Sequence, residues 1–104
     1  RKAKMEEISD GIITMPGGFG SMDELFEILT WGQLGLHQKP VGVLNVNGFY
    51  DHLLKQMDVM VEEGFLKKEN RDLVVVDDDI DQLLQKMEKY TPNYAKKWLK
   101  KEQL

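Results

Sequence analysis

The sequence predicts an α/β protein with a Rossmann-like parallel sheet flanked by helices, and two patterns carry this prediction. Short apolar runs rich in β-branched residues, typical of strands buried on both faces, occur at 11–15, 41–45 and 73–76. Each run is followed by a segment whose apolar residues recur every three or four positions, as in a helix that covers a sheet. This alternation is the chain order of a parallel sheet.

The first helix is expected from Ser21, with Ser21 or Gly20 near its N-cap and the acids Asp23 and Glu24 in its first turn. Its core stripe has helical spacing: Met22, Leu25, Phe26 and Leu29. A second line on the opposite side mixes carboxylates with large apolar groups: Glu24, Glu27, Ile28 and Trp31. We therefore expect a partner subunit or another segment of the chain to cover that side.

Local signals place the remaining elements. The pair Asn47-Gly48 predicts a turn after the second strand. Gly64 predicts a glycine cap at the end of the second helix, and Asp79 is expected to be the N-cap of the third helix. The second and third helices have apolar stripes at 50, 53, 54, 57, 60 and 61, and at 80, 83, 84 and 87. Residues 1–9 have the spacing of the end of a helix, and a helical tail is expected over 91–104.

Composition narrows the function classes. The chain has 104 residues, a formal net charge of -4 and no cysteine. The negative charge argues against a general nucleic-acid binder, and the absence of cysteine excludes disulfides and thiolate metal sites. The apolar runs are too short to cross a membrane and no signal peptide opens the chain, so we expect a cytoplasmic protein without a membrane partner.

The stretch MPGGFGSMDE joins the first predicted strand to the first predicted helix. Glycines there let an anion approach the unpaired N–H groups of the first helical turn, so the stretch is a candidate phosphate site. Strand-to-helix turns also use glycine for geometry alone, and the stretch by itself leaves both interpretations open. It lacks the lysine of a P-loop and the flanks of a G-x-S-x-G esterase motif.

These residues resemble a known family. PGGFGSMDE is similar to the PGGxGTxxE motif of the LONELY GUY (LOG) family of cytokinin-activating phosphoribohydrolases, long labelled putative lysine decarboxylases, with Ser21 where the family usually has Thr. The opening Arg1-Lys2, followed by Met5, resembles the family's second signature at the expected distance upstream. Further similarities reach to about Tyr90 and include Trp31, Gly35, the stretch HQKPVGVLNVNGFY at 37–50 and Glu63-Gly64-Phe65.

The resemblance implies hydrolysis of the N-glycosidic bond of a nucleoside 5'-monophosphate, AMP or cytokinin riboside 5'-monophosphate, to free base and ribose 5-phosphate. It implies Glu24 and Arg1 as catalytic residues, because a carboxylate can stabilise the oxocarbenium-like transition state and an arginine can hold phosphate or the departing base. The implied substrate-binding residues are Arg1, Lys2, Gly17, Gly18, Phe19, Gly20, Ser21, Met22, Asp23, Glu24 and Thr30. No cofactor or metal is implied, and a homodimer is expected.

Family members are nearly twice as long as this chain. We therefore expect 1–104 to be a single α/β nucleotide-binding domain that lacks its N-terminal β-α-β units, as the C-terminal part of the fold. The alternative function is a non-catalytic Rossmann protein that binds a nucleotide or the molybdenum cofactor. No lysine stands in a recognisable pyridoxal phosphate context, so decarboxylation finds no support in the residues.

Other polar residues have simpler interpretations. His37 and His52 have no partner at metal-ligand spacing and are read as structural or exposed. The aspartates at 77, 78, 79 and 81 fit a strand end and a helix N-cap better than a cation site.

Overall fold

The computed structural model describes residues 5–8 and 11–90, with side chains described for 11–90. Its sheet contains four strands in the order β1 (Met5–Ile8), β2 (Gly11–Thr14), β3 (Val41–Leu44) and β4 (Val74–Asp77). Strands β2, β3 and β4 are parallel, in a register that pairs Ile12 with Val41 and Val41 with Val74. The predicted α/β class with a parallel sheet is confirmed.

One strand differs from the prediction. The helical interpretation of residues 1–9 is wrong for Met5–Ile8, which form β1 and pair antiparallel with β2. The pairing gives β2 a hydrogen-bonded neighbour on the side away from β3, so its backbone groups on that edge are satisfied. Residues 1–4, with Arg1 and Lys2, lie outside the described part of the chain.

Helices cover both faces of the sheet. The helices are α1 (Phe19–Gln33), α2 (Asp51–Glu62), the short α3 (Lys68–Arg71) and α4 (Ile80–Glu88). Adjacent residues of β3 point to opposite faces, Val43 into a core cluster with Leu25 of α1 and Met57 of α2, and Leu44 into one with Leu83 of α4. The sheet is therefore a middle layer between α1 and α2 on one side and α4 on the other.

The predicted turn and cap residues occupy the expected positions. Asn47 (φ 53°) and Gly48 (φ 71°) form the turn before α2. After α2, Gly64 (φ 85°) donates to the Val61 carbonyl at 3.1 Å and Phe65 to the Met60 carbonyl at 2.9 Å, the two bonds of a Schellman cap. Asp79 caps α4 by accepting from the Gln82 N–H at 3.0 Å.

The first helix begins earlier than predicted. Gly18 is the N-cap of α1 and Phe19 its first residue, so Asp23 and Glu24 lie in the second turn rather than the first. The core stripe is also rotated: Phe26 is 38% exposed, whereas Ile28, predicted on the outer side, packs against the core. Trp31, predicted on the side opposite the core stripe, is exposed.

The predicted tail at 91–104 lies outside the described residues. Within the part that is described, no helix is both long and apolar enough to cross a membrane.

Candidate active site

The glycine loop, residues 15–18, connects the end of β2 at Thr14 to the start of α1 at Phe19. Since β2, β3 and β4 are parallel, their carboxyl ends lie at one edge of the sheet, and the loop lies at that edge. In open α/β sheets ligands bind outside the carboxyl ends of the strands. The loop is therefore placed where this fold presents a binding site.

The first turn of α1 offers backbone donors to a ligand. The N-cap residue Gly18 makes no side-chain capping bond, and the helix has no acid in its first turn. The Met22 N–H donates to the Gly18 carbonyl at 3.1 Å, which leaves the N–H groups of Phe19, Gly20 and Ser21 without helical acceptors. Together with the positive end of the helix dipole, these donors suit an anion.

Gly18 leaves open space beside these donors. A Cβ built on Gly18 would meet no heavy atom within 4 Å, and the residue has a negative φ of -110°. The fold of the described residues therefore does not require glycine at this position for space. A close approach of a ligand to the backbone would require it.

Two hydroxyl groups flank the loop in unusual surroundings. Thr14, the last residue of β2, is 0% exposed and Ser21, in the first turn of α1, is 1% exposed. Neither hydroxyl has a hydrogen-bond partner among the described residues. An unsatisfied buried hydroxyl costs about 1–3 kcal/mol, so the contacts of the described residues do not explain these two hydroxyls through the stability of the fold. The sequence did not single out Thr14, because threonine is ordinary in a β-branched strand.

Glu24 lies one turn beyond Ser21 on the same side of α1, since residues three apart share a helix face. The side chain is partly buried, and its Oε1 is a buried oxygen without a partner among the described residues. The neighbouring Asp23 and the next acid along the face, Glu27, are exposed. Among these three acids, Glu24 is the one with a carboxylate oxygen that is buried.

The other predicted site residues are more dispersed. Phe19 is 96% exposed at the rim of the loop, and Met22 packs against the core rather than standing free. Thr30 lies roughly 14 Å beyond Ser21 along α1, at about 1.5 Å per residue. Its hydroxyl donates to the Phe26 carbonyl at 2.7 Å. The structure therefore does not bring Thr30 to the glycine loop.

The simpler interpretations of the histidines and aspartates are confirmed. His37 is held in the structure, with Nε2 at 2.9 Å from the Ile28 carbonyl and Nδ1 accepting from the Lys39 N–H at 3.1 Å, and His52 is exposed. Asp77 pairs with Lys86 at 3.0 Å and accepts from the Asp79 N–H at 3.0 Å. Within the described residues no group of three His, Cys, Asp or Glu side chains is arranged to hold a metal ion.

The sheet and the loop together define an α/β protein of Rossmann type with a glycine-rich strand-to-helix turn. The chain belongs to the family described as possible lysine decarboxylase, whose model matches residues 1–87. This match, together with the relatives that follow, confirms the resemblance to the LOG family.

Curated plant proteins are similar to most of the chain. Cytokinin riboside 5'-monophosphate phosphoribohydrolase LOG of Oryza sativa subsp. japonica is 46% identical over 94 residues, 90% of this chain and 39% of the relative. A cytokinin riboside 5'-monophosphate phosphoribohydrolase of Arabidopsis thaliana is 49% identical over 94 residues, 90% of this chain and 44% of the relative. The chain thus spans about two fifths of the length of these relatives.

Proposed function

We propose that the protein hydrolyses the N-glycosidic bond of nucleoside 5'-monophosphates, AMP or cytokinin riboside 5'-monophosphate, to the free base and ribose 5-phosphate. The observation that carries the proposal is the pair Ser21 and Glu24: a buried hydroxyl and a buried carboxylate oxygen, both without partners among the described residues, on the turns of α1 that follow the glycine loop. The names of the similar plant enzymes support the same reaction.

In this proposal the glycine loop binds the 5'-phosphate. The N–H groups of Phe19, Gly20 and Ser21 donate to the phosphate oxygens, and the Ser21 hydroxyl adds a side-chain donor. Gly17 and Gly18 keep the backbone accessible, and Lys2 contributes a positive charge. Met22 and Asp23 belong to the same proposed substrate-binding set. Thr30, which lies further along α1 and away from the loop, is proposed to contact a part of the substrate other than the phosphate.

The reaction is proposed to occur at C1' of the ribose. As the bond from C1' to the base nitrogen breaks, its electron pair leaves with the base and positive charge develops on the sugar. The ionised Glu24 stabilises that charge and orients the water that forms the new C1'–O bond. The proton lost by the water balances the proton gained by the departing base. Arg1 holds the phosphate or the departing base.

The same proposal includes the setting of the enzyme: a homodimer in the cytoplasm. Phe26 and Trp31 of α1 are exposed, at 38% and 44%. Apolar side chains of this size on a helix suit burial against a second subunit.

The test is the appearance of free base. The intact natural polypeptide is incubated with AMP, and adenine and ribose 5-phosphate are quantified. The proposal expects equal amounts of the two products and a loss of turnover in Arg1→Ala. Measurable AMP affinity with no adenine formed would contradict it and would favour a non-catalytic nucleotide-binding protein.

A further inference from the structure

Tyr50 connects the start of α2 to the glycine loop. The side chain is 2% exposed, and its hydroxyl donates to the Met15 carbonyl at 2.6 Å. Met15 is the first residue of the loop, and Tyr50 is the N-cap of α2, 35 residues further along the chain. The hydrogen bond is therefore a tertiary contact between the loop and the segment that follows the carboxyl end of β3.

A second contact reaches the same hydroxyl from Gly17. Burial raises the pKa of the Tyr50 phenol, and a hydrogen bond with the Gly17 backbone acts in the opposite direction. A bond that lowers the pKa of a phenol is one in which a backbone N–H donates to its oxygen. The Tyr50 hydroxyl thus bonds the Met15 carbonyl before Pro16 and also faces the Gly17 backbone after it.

The rest of the tyrosine is fixed independently of the loop. Its backbone N–H donates to Asn45 Oδ1 at 2.6 Å, and Asn45 Nδ2 donates to Asp51 Oδ1 at 2.8 Å. The ring belongs to the core cluster that includes Leu25 and Val43. The position of the hydroxyl is therefore set by the sheet and by α2.

We propose that Tyr50 is a positioning residue for the anion site: its hydroxyl holds the backbone of residues 15–18 in the conformation that directs the first-turn N–H groups of α1 at a phosphate. This inference rests on the proposed function of the glycine loop. A loop that the fold already holds in its binding conformation loses little conformational entropy when the ligand binds. The smaller loss of entropy increases the affinity. Removal of the hydroxyl should weaken the binding of phosphate-bearing ligands and disturb the chemical step much less.

The first test compares Tyr50→Phe with the intact natural polypeptide. Binding of ribose 5-phosphate is measured by calorimetry, and KM and kcat are measured with AMP. The expected result is a rise of about five- to tenfold in both Kd and KM, the ratio that corresponds to one lost hydrogen bond, with a smaller change in kcat. Tyr90→Phe is the matched control, because Tyr90 is partly buried at the far edge of the sheet, and it should leave Kd unchanged.

The binding measurement separates this inference from the proposed function. If the natural polypeptide binds ribose 5-phosphate but releases no adenine, the proposed reaction fails and the rise in Kd still tests Tyr50. Pro16→Ala is a second variant in case Tyr50→Phe does not fold. It loosens the same loop without touching the core, and it should raise Kd in the same direction. An unchanged Kd in a folded Tyr50→Phe, or an unchanged Kd in Pro16→Ala where Tyr50→Phe does not fold, would overturn the inference.

Discussion

Ser21 and Glu24 lie three residues apart on one side of α1, and each carries a buried oxygen that no described residue satisfies. Buried polar atoms of this kind lower stability unless a ligand completes them. Two on successive turns of one helix, directly after a glycine loop, support the proposal that this part of the molecule binds a ligand. Substitutions at these positions should therefore affect ligand affinity and the free energy of unfolding differently.

Ser21→Ala should weaken binding without weakening the fold. The substitution removes a buried hydroxyl that has no partner among the described residues, so the free energy of unfolding should stay the same or rise by up to about 1 kcal/mol. The affinity for AMP should fall at least about tenfold, because a charge-assisted hydrogen bond to phosphate is lost. Thermal unfolding and calorimetric titration measure the two effects. A loss of stability with unchanged affinity would show that the hydroxyl is structural.

Gly18→Ala should block the site while the fold tolerates it. Since a Cβ at this position meets no heavy atom within 4 Å, we expect the free energy of unfolding to change by less than about 0.5 kcal/mol. The methyl group should nevertheless keep phosphate from the backbone and lower AMP affinity by on the order of tenfold.

Gly64→Ala is the matched control for that variant. A Cβ there also meets nothing within 4 Å, but the positive φ of 85° is unfavourable for alanine. It should cost about 1–2 kcal/mol of stability and leave AMP affinity unchanged. Equal affinities for the two glycine variants would contradict the proposed approach of phosphate at Gly18.

Asp77 should make stability depend on acid pH. Two contacts hold the pKa of the Asp77 carboxyl below its ordinary value of 3.8. The larger effect comes from the hydrogen bond that the Asp79 N–H donates, and the next from the Lys86 side chain. The ionised form is favoured in the folded protein, so the stabilisation is fully present above the ordinary pKa and is lost as the pH falls through the lowered one.

The measurement for Asp77 is the urea midpoint across that range of pH. The urea midpoint of Asp77→Asn should be lower than that of the parent protein near neutral pH and should fall less on acidification. The two midpoints should therefore become equal in strong acid. Glu88→Gln, an exposed acid near the end of α4, should follow the parent protein. Parallel curves for Asp77→Asn and the parent would contradict the assigned role.

Local features were predictable from the sequence because their causes are local. The cap at Asp79, the glycine after α2 and the stripe of α2 depend on residues within a few positions of each other. The strand Met5–Ile8 was predicted as helix, because so short a segment fits either period and its conformation depends on pairing with β2.

Parts of the candidate site were predictable for the same reason, and parts were not. The glycine loop and Glu24 are contiguous in the chain, so their pattern is visible in the sequence. The bond between Tyr50 and Met15 spans 35 positions, and from the sequence alone Tyr50 looks like an ordinary member of the apolar stripe of α2. The unsatisfied hydroxyl of Thr14 depends on burial, which spacing does not reveal.

The central claim is that Glu24 acts on the sugar, and the most direct measurement is adenine release from AMP by Glu24→Gln beside Glu27→Gln. Both variants replace a carboxylate of α1 by its isosteric amide, but Glu24 has a buried oxygen and Glu27 is exposed. We predict that kcat falls roughly a hundredfold or more in Glu24→Gln, with AMP still bound, and stays near that of the parent in Glu27→Gln. Adenine release that survives Glu24→Gln at the parental rate would contradict the claim.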